Sequence, residues 1–372
     1  MKRNERILLL GYYGMSNFGD DLFVKSAEDN WSKILGKKNV FVLGPEIEGV
    51  MRLSFLVPKC LKSAFQKKTF VGSVVRILFL ILGVFWCGKI VFWGGSVFTE
   101  TSFGFRHKIL FMLNKMRIIR LFAFGVSVGP FGNSEKKYND IVSFVKSMEF
   151  IGCRDVASER SLESISYPSD RYKNIGDLAY YTSVIDIESK GAEKKNVTVG
   201  ISLCKYESYV GGDKNQEEKF ILRQVELISI WCSMLGIGEA IVFCLNADLD
   251  VGDIDVSKKM KDELSRHKIK SSFFTHRDVS ETVTEIARTD FFISMRLHGG
   301  ICAHLLSIPF VLYEYHPKCT DFIESISYSL TRWKRHQDFP SGEKINEDSF
   351  SGVESAQDLS ALLKEVVVNE EG

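Results

Sequence analysis

Residues 6–21 read Arg-Ile-Leu-Leu-Leu-Gly-Tyr-Tyr-Gly-Met-Ser-Asn-Phe-Gly-Asp-Asp, and they decide the fold. A short apolar run, 6–12, enters a glycine-bearing turn and then a long amphipathic segment, 19–35. The next apolar run follows at 40–43. Strand, turn, helix, strand is the opening of a parallel sheet covered by helices on both faces. The alternation predicts further strands at 90–93, 119–126 and 150–153. Helices are expected in two pieces within 56–86 and at 105–115, 135–147 and 157–164. Residues 186–196 carry little apolar content and read as a linker. The pattern then restarts, with strands at 197–204, 240–245, 270–274, 291–294 and 310–313. Helices follow at 216–235, 257–267, 279–288, 297–306 and 317–327, then a polar loop at 340–354 and a closing helix at 357–367. The expectation is an α/β chain of two doubly wound Rossmann-like domains, 1–186 and 197–372. Ligands of such sheets bind outside the carboxyl ends of the strands, and two such domains are expected to share an interdomain cleft.

Composition is that of a globular chain: 372 residues, 45% hydrophobic and 26% charged. That excludes wholesale disorder, collagen and coiled-coil rods. Eight cysteines without a Cys-x-x-Cys pair or zinc-spaced histidines read as reduced, mostly buried thiols of a cytoplasmic protein, with no metal site expected. The net charge of +1 hides an asymmetry. Residues 49–134 hold 12 Lys or Arg and one acid, Glu100, hence +11; the remainder holds 36 against 46, hence −10. The basic half is also apolar, which suits an anionic membrane surface. The uncharged run between Arg76 and Lys89 is 12 residues. At about 18 Å as a helix it is too short to cross a bilayer core of about 30 Å. The apolar stretch after the basic start, Ile7 to Leu10, is too short for a secretory signal. Peripheral attachment to the inner face of a membrane is therefore expected, and no nucleic-acid partner.

The candidate chemistry lies at strand ends. In the first turn Gly11, Gly14 and Gly19 permit close backbone approach, and the following helix offers free N–H groups to an anion. Asp20 and Asp21 stand at its start, either as N-caps or, for Asp20, as acceptor of a sugar hydroxyl's proton. Gly94-Gly95-Ser96 closes the third strand, and Gly125 to Pro130 follows one strand later. Arg154 leaves the strand 150–153 beside Asp155. It fits either an anionic ligand or a structural salt bridge to Asp155 or Glu159. Asp177 follows in Asn174-Ile175-Gly176-Asp177. The strongest block is Ser294-Met295-Arg296-Leu297-His298-Gly299-Gly300, an anion site with a titratable imidazole beside it. Next, Tyr315-His316-Pro317-Lys318 offers a compact cation and a second imidazole.

Together these blocks resemble the polysaccharide pyruvyl transferase family. The matching pieces are the Gly-Tyr-x-Gly-x-x-Asn-x-Gly-Asp turn at Gly11 to Asp20, Gly-Gly-Ser at Gly94 to Ser96 and Ser-x-Gly-Pro at Ser127 to Pro130. They continue with Arg-Asp-x-x-Ser at Arg154 to Ser158, Gly-Asp-x-Ala at Gly176 to Ala179, Ser-x-Arg-Leu-His-Gly at Ser294 to Gly299 and Tyr-His-x-Lys at Tyr315 to Lys318. Two positions depart from the pattern: Glu314 stands where Ser is usual, and Leu178 where Pro is common. The resemblance implies a GT-B-like pair of domains. Its activity is transfer of the enolpyruvyl skeleton of phosphoenolpyruvate onto sugar hydroxyls of a cell-surface glycan or its lipid-linked precursor, as a ketal, with release of phosphate. Phosphoenolpyruvate is then a co-substrate and no cofactor is expected. The resemblance places Arg154, Arg296 and His298 on phosphoenolpyruvate. Leu297, Lys318, His316, Gly14, Asn17, Gly94, Gly95, Ser96, Asp177 and Gly299 complete the candidate substrate contacts, with His298 and Asp20 as catalytic acid and base. A GT-B glycosyltransferase using a nucleotide sugar, or a glycan-binding scaffold without turnover, are the competing expectations.

Overall fold

The structure is a computed structural model and describes residues 3–67, 69–100, 102–132, 134–185, 197–248, 252–326, 332–340 and 359–368. The linker expected at 186–196 and, beyond Pro340, the loop expected at 340–354 lie outside them. The chain divides into two compact units. The first takes Met1–Gly14, Asp20–Ser183 and Ser355–Gly372; the second takes Met15–Gly19 and Val184–Glu354.

The first unit runs β1 (Ile7–Leu10), α1 (Phe18–Leu35), β2 (Val40–Pro45), β3 (Ser54–Val57), α2 (Lys62–Gln66), α3 (Phe70–Trp86) and β4 (Lys89–Phe98). It continues with α4 (Phe105–Lys115), β5 (Arg120–Val128), α5 (Glu135–Lys146), β6 (Phe150–Cys153), α6 (Val156–Ser164) and β7 (Tyr172–Asn174). Its sheet has the order β3-β2-β1-β4-β5-β6-β7, every pair parallel. The central strands are buried on both faces, so they read as continuous apolar runs rather than alternating ones. Ile7, Leu9, Val91 and Trp93 pack with Trp31 of α1 in one cluster. On the opposite face Leu8 meets α3 so closely that a Cβ on Gly83 would stand 2.7 Å from it. Phe92 on that face stacks on His107 of α4 and meets Phe144 of α5.

The second unit runs β8 (Thr198–Ser202), α7 (Tyr206–Val210), α8 (Lys214–Met234), β9 (Glu239–Cys244), α9 (Ile254–Arg266), β10 (Lys270–Thr275), α10 (Val279–Ile286) and β11 (Phe291–Ser294). Then come α11 (Leu297–Leu305), β12 (Phe310–Glu314), α12 (Pro317–Ser325) and β13 (Trp333–Lys334). The order is β10-β9-β8-β11-β12-β13, again all parallel. Both sheets thus reverse strand order at one point, β1/β4 and β8/β11, where the loops leaving the carboxyl ends diverge and leave room for a ligand. The doubly wound class read from the sequence holds for each unit.

Two expectations need correction. Gly94-Gly95-Ser96 does not close its strand, because β4 continues to Phe98 and pairs Ser96 with Ser127 of β5. The second domain does not keep the chain to residue 372. The last helix, α13 (Leu359–Leu363), and the turn after it bury Leu359, Leu363 and Val367 in the first unit's core, and Lys89 donates from Nζ to Val367 O at 2.5 Å. Leu-Leu-Lys-Glu-Val-Val-Val supplies an apolar stripe that completes the face shared with Trp31.

His107 shows how burial couples to pH. Packed among Phe92, Phe103 and Phe144, it is 6% exposed and accepts from Gly104 N through Nδ1. Burial first, then the Arg106 charge, lowers its pKa to about 4. The unfolded chain takes up this proton below about pH 6.5, whereas the native chain does so only near its lowered value. Stability therefore falls as the pH drops through that window, by up to about 3 kcal/mol. Urea midpoints at neutral and at acid pH are expected to converge in His107→Phe. An unchanged slope would show that His107 is not the group responsible.

Candidate active site

In the first unit the motifs line up along the carboxyl edge of one sheet, because the register demands it. Ser96 pairs with Ser127, Val126 with Cys153, and Cys153 with Asn174. Arg154 and Asp177 follow immediately beyond β6 and β7. The Arg154 side chain is 7% exposed. Its Nη2 lies 2.5 Å from Ser127 Oγ, while Nε stands 3.7 Å from Asp155 and Nη1 3.5 Å from Asp177. The structural salt bridge weighed from the sequence is thus present with Asp155. Glu159 instead accepts from Asn174 Nδ2. Asp155 also caps α6, accepting from Ser158 N at 2.8 Å, and Asp177 accepts from Ala179 N at 2.9 Å. Leu178, where the resemblance expects Pro, packs onto Gly125 in the core, which explains that departure.

The first turn divides its residues. Gly14, at φ +68°, donates from N to Asp21 Oδ1 at 2.9 Å, and a Cβ there would stand 2.7 Å from the Pro45 ring. Asp21 is therefore the residue that ties the turn to α1. Asp20 is half-buried and close enough to raise the pKa of the buried Tyr13, after burial itself. Gly94, at φ +77°, admits the Phe23 ring, whereas Gly95 is open and Ser96 exposed. Residues Met15–Gly19 belong to the second unit. Asn17 forms a bridge with Asn246, Phe18 donates from N to Leu245 O at 2.9 Å, and a Cβ on Gly19 would stand 2.0 Å from His298 Nδ1. The imidazole rests directly on the Gly19 backbone, so that glycine is there for close approach.

In the second unit Arg296 leaves β11 at the strand-order reversal and is the N-terminal flanking residue of α11. Both Nε, at 2.8 Å, and Nη2, at 2.6 Å, lie on one oxygen of Asp253. Asp253 is fully buried and also accepts from Lys205 N at 3.1 Å. Burial pushes the Asp253 carboxyl up, opposed by the Arg296 charge. Burial alone would lower Arg296, but the facing carboxylate more than offsets it and holds the guanidinium charged. Asp253 is the buried partner of a candidate site residue, and the sequence reading missed it. The acid-rich loop after β9 was its local signal, but the partnership with Arg296 bridges 43 positions. Leu297 is buried, and Gly299 lets α11 sit on β11, since a Cβ there would meet Ser294 Oγ at 2.4 Å.

Lys318 Nζ stands 5.5 Å over the Tyr315 ring, and that same tyrosine is within electrostatic reach of Arg296. His316 caps α12, its Nδ1 accepting from Lys318 N at 3.2 Å; a neutral His316 then carries its hydrogen on Nε2. Glu314, where the resemblance expects Ser, is buried and held by both Arg332 and Thr320 Oγ, so the departure is absorbed by a structural ion pair. Beside Tyr315 opens a cavity of about 320 Å³. Its wall includes Tyr206, Phe220, Met295, Tyr313, Tyr315 and Arg335. Tyr206 and Tyr315 pack 4.6 Å apart, and Arg335 lies 5.6 Å over Tyr206. Cations, an imidazole and an aromatic-walled cavity thus meet at the carboxyl ends of β8, β11 and β12.

Among solved structures, the UDP-GlcNAc 2-epimerase of Methanocaldococcus jannaschii in complex with UDP-GlcNAc and UDP is 9% identical, with a TM-score of 0.51 over 98% of this chain and 92% of that one. A putative UDP-N-acetylglucosamine 2-epimerase of Listeria monocytogenes is 8% identical, with a TM-score of 0.50 over 84% and 79%. Anabaena HepE in complex with UDP-glucose is 11% identical, with a TM-score of 0.48 over 98% and 90%. The two epimerases have GT-B folds, and the likeness to them extends to the fold alone. No curated protein matches the chain. A family model does: that of polysaccharide pyruvyl transferase, over residues 17–317. The ordered motifs from Asn17 to Pro317 lie inside that match, and the chain belongs to the polysaccharide pyruvyl transferase family.

Proposed function

We propose that this protein transfers the pyruvyl group of phosphoenolpyruvate to two hydroxyls of a sugar in a cell-surface glycan or its lipid-linked precursor, forming a ketal and releasing phosphate. One observation supports the reading beyond family membership: Lys318 Nζ stands over the Tyr315 ring, Arg296 is within electrostatic reach of the same tyrosine, and Tyr315 lines a cavity that holds Tyr206, Tyr313 and Arg335 beside the acids Glu207, Asp213 and Glu217. Phosphoenolpyruvate holds a phosphate and a carboxylate on one small skeleton, so it requires several cations. Arg296 and Lys318 supply two, and Arg154 is assigned as a third. Pyranose rings present apolar C–H faces and hydroxyl edges, which suit tyrosine rings beside polar groups, and the cavity is of ligand size.

The imidazolium of His298 protonates the methylene carbon of phosphoenolpyruvate, and the first sugar hydroxyl bonds to C2. The proton of that hydroxyl passes to a carboxylate, for which Asp20 is the candidate. The C2–O bond to phosphate then breaks, the second hydroxyl bonds to C2, and its proton leaves with the phosphate. Two hydroxyl protons are thereby accounted for, one reaching carbon in net terms and one on hydrogen phosphate.

The test is acceptor-dependent phosphate release. Purified protein with phosphoenolpyruvate and lipid-linked repeat units is expected to release phosphate, and the product gains the mass of a pyruvate ketal. Thermal stabilisation by a nucleoside diphosphate but not by phosphoenolpyruvate would favour nucleotide-sugar transfer instead. Binding of glycan with no turnover would favour a scaffold role.

A further inference from the structure

Helix α3 is Phe-Val-Gly-Ser-Val-Val-Arg-Ile-Leu-Phe-Leu-Ile-Leu-Gly-Val-Phe-Trp, with Arg76 its one charged residue. Phe79, Leu80, Gly83 and Val84 are buried, Gly83 against Leu8 and Leu56 of the sheet, and Gly72 is buried against the backbone of Ala64 and Lys67. The opposite stripe is just as apolar: Val71, Val74, Leu78, Leu82 and Phe85 recur at helical spacing and are exposed, Phe85 at 72%. Phe70, at 84%, and Trp86, at 54%, mark its two ends. On the same sheet face α4 exposes Phe105 and Met112. A surface helix ordinarily turns polar residues outward, so this stripe needs an apolar partner.

The surrounding charge identifies it. The stripe lies in the segment carrying +11. Lys62, Lys67, Arg76, Arg106, Lys115 and Arg117 have no carboxylate partner among the described residues. Arg76 is held by the carbonyls of Phe65 and Lys67, which leaves its charge uncancelled. Arg106, on α4, feels the charge of Arg76. A two-fold dimer through this face would set one basic surface against its own copy. An anionic bilayer neutralises the rim while covering the stripe. No helix among the described residues is long and apolar enough to cross a membrane.

We propose that the outer face of α3 docks on an anionic lipid bilayer, with the stripe from Phe70 to Trp86 lying in the headgroup boundary and the Lys and Arg side chains around it on lipid phosphates. This deepens the reading above, because it names where a lipid-linked acceptor would be met, and it rests on that reading only for the acceptor.

Trp86 gives a direct readout. Trp31, Trp93, Trp231 and Trp333 are buried, so Trp86 is the one exposed tryptophan of the five in the sequence. The full chain is mixed with sucrose-loaded vesicles of phosphatidylcholine alone, or of equal parts phosphatidylcholine and phosphatidylglycerol. We expect cosedimentation with the anionic vesicles, weakened by salt, and a blue shift of tryptophan emission that Trp86→Phe abolishes. Leu78→Asp with Phe85→Asp, both at exposed positions, is expected to weaken binding at least about tenfold. Phosphate release with a soluble acceptor should be unchanged in that double variant. Absence of binding, equal binding to both vesicles, a silent Trp86, or a dimer dissolved by the double substitution would each overturn the proposal. Failure of phosphate release with intact vesicle binding would instead count against the assigned reaction.

Discussion

Arg296→Ala is expected to lower the free energy of unfolding by about 3–5 kcal/mol as well as to abolish phosphoenolpyruvate-dependent phosphate release. Both effects follow from one geometry. Asp253 is fully buried, and its carboxylate is met by Nε and Nη2 of Arg296 and by Lys205 N. Without the guanidinium, a charge stays in a poorly polarisable surrounding with one backbone donor. Burial already pushes this carboxyl up, and losing Arg296 removes the main opposing influence. The folded form then binds a proton at a pH where the unfolded chain does not. The variant's deficit should accordingly shrink as pH falls and grow as pH rises through the raised pKa. Urea denaturation across pH measures this. Arg296→Met with Asp253→Asn, which retains an acceptor for Lys205 N, should regain most of the stability and none of the activity. Activity regained in that pair would show that Arg296 serves only to neutralise Asp253.

His298→Gln is expected to lower the turnover of acceptor-dependent phosphate release by about 10²–10⁴-fold, with the KM for phosphoenolpyruvate little changed. Glutamine keeps a polar side chain of similar reach but cannot deliver a proton to carbon. The ring rests on the Gly19 backbone, so packing contributes to its position. A parallel rise in KM would instead make His298 a binding group. Unchanged turnover would remove it from the chemistry.

Much of this site was legible because it sits at strand ends. Arg154 follows an apolar run of the first sheet, Arg296 and Lys318 follow runs of the second, and each parallel sheet carries such positions to its own carboxyl edge. The central strands read clearly since both their faces are buried. Of the four edge strands only β10 was read; β3 has half-buried residues at three of its four positions, β7 is three residues long and β13 only two. Short, half-solvated edges carry neither a continuous apolar run nor a clean alternation. Pairings between distant residues were equally silent. Nothing near Arg296 announces Asp253, and nothing near Glu314 announces the fork of Arg332, because these partners are chosen by tertiary packing. The capping of α12 by His316 Nδ1 was equally silent, since it is a local backbone contact that the residue type alone does not announce.

The return of the last helix to the first unit bears on how the chain is made. Leu359, Leu363 and Val367 complete an apolar face begun by Ile7 and Trp31, and Lys89 waits for the carbonyl of Val367. During synthesis the amino-terminal half therefore leaves the ribosome with a bare flank. It stays open to chaperones until residues 359–367 have been made, while the second unit, apart from Met15–Gly19, is built from one uninterrupted stretch.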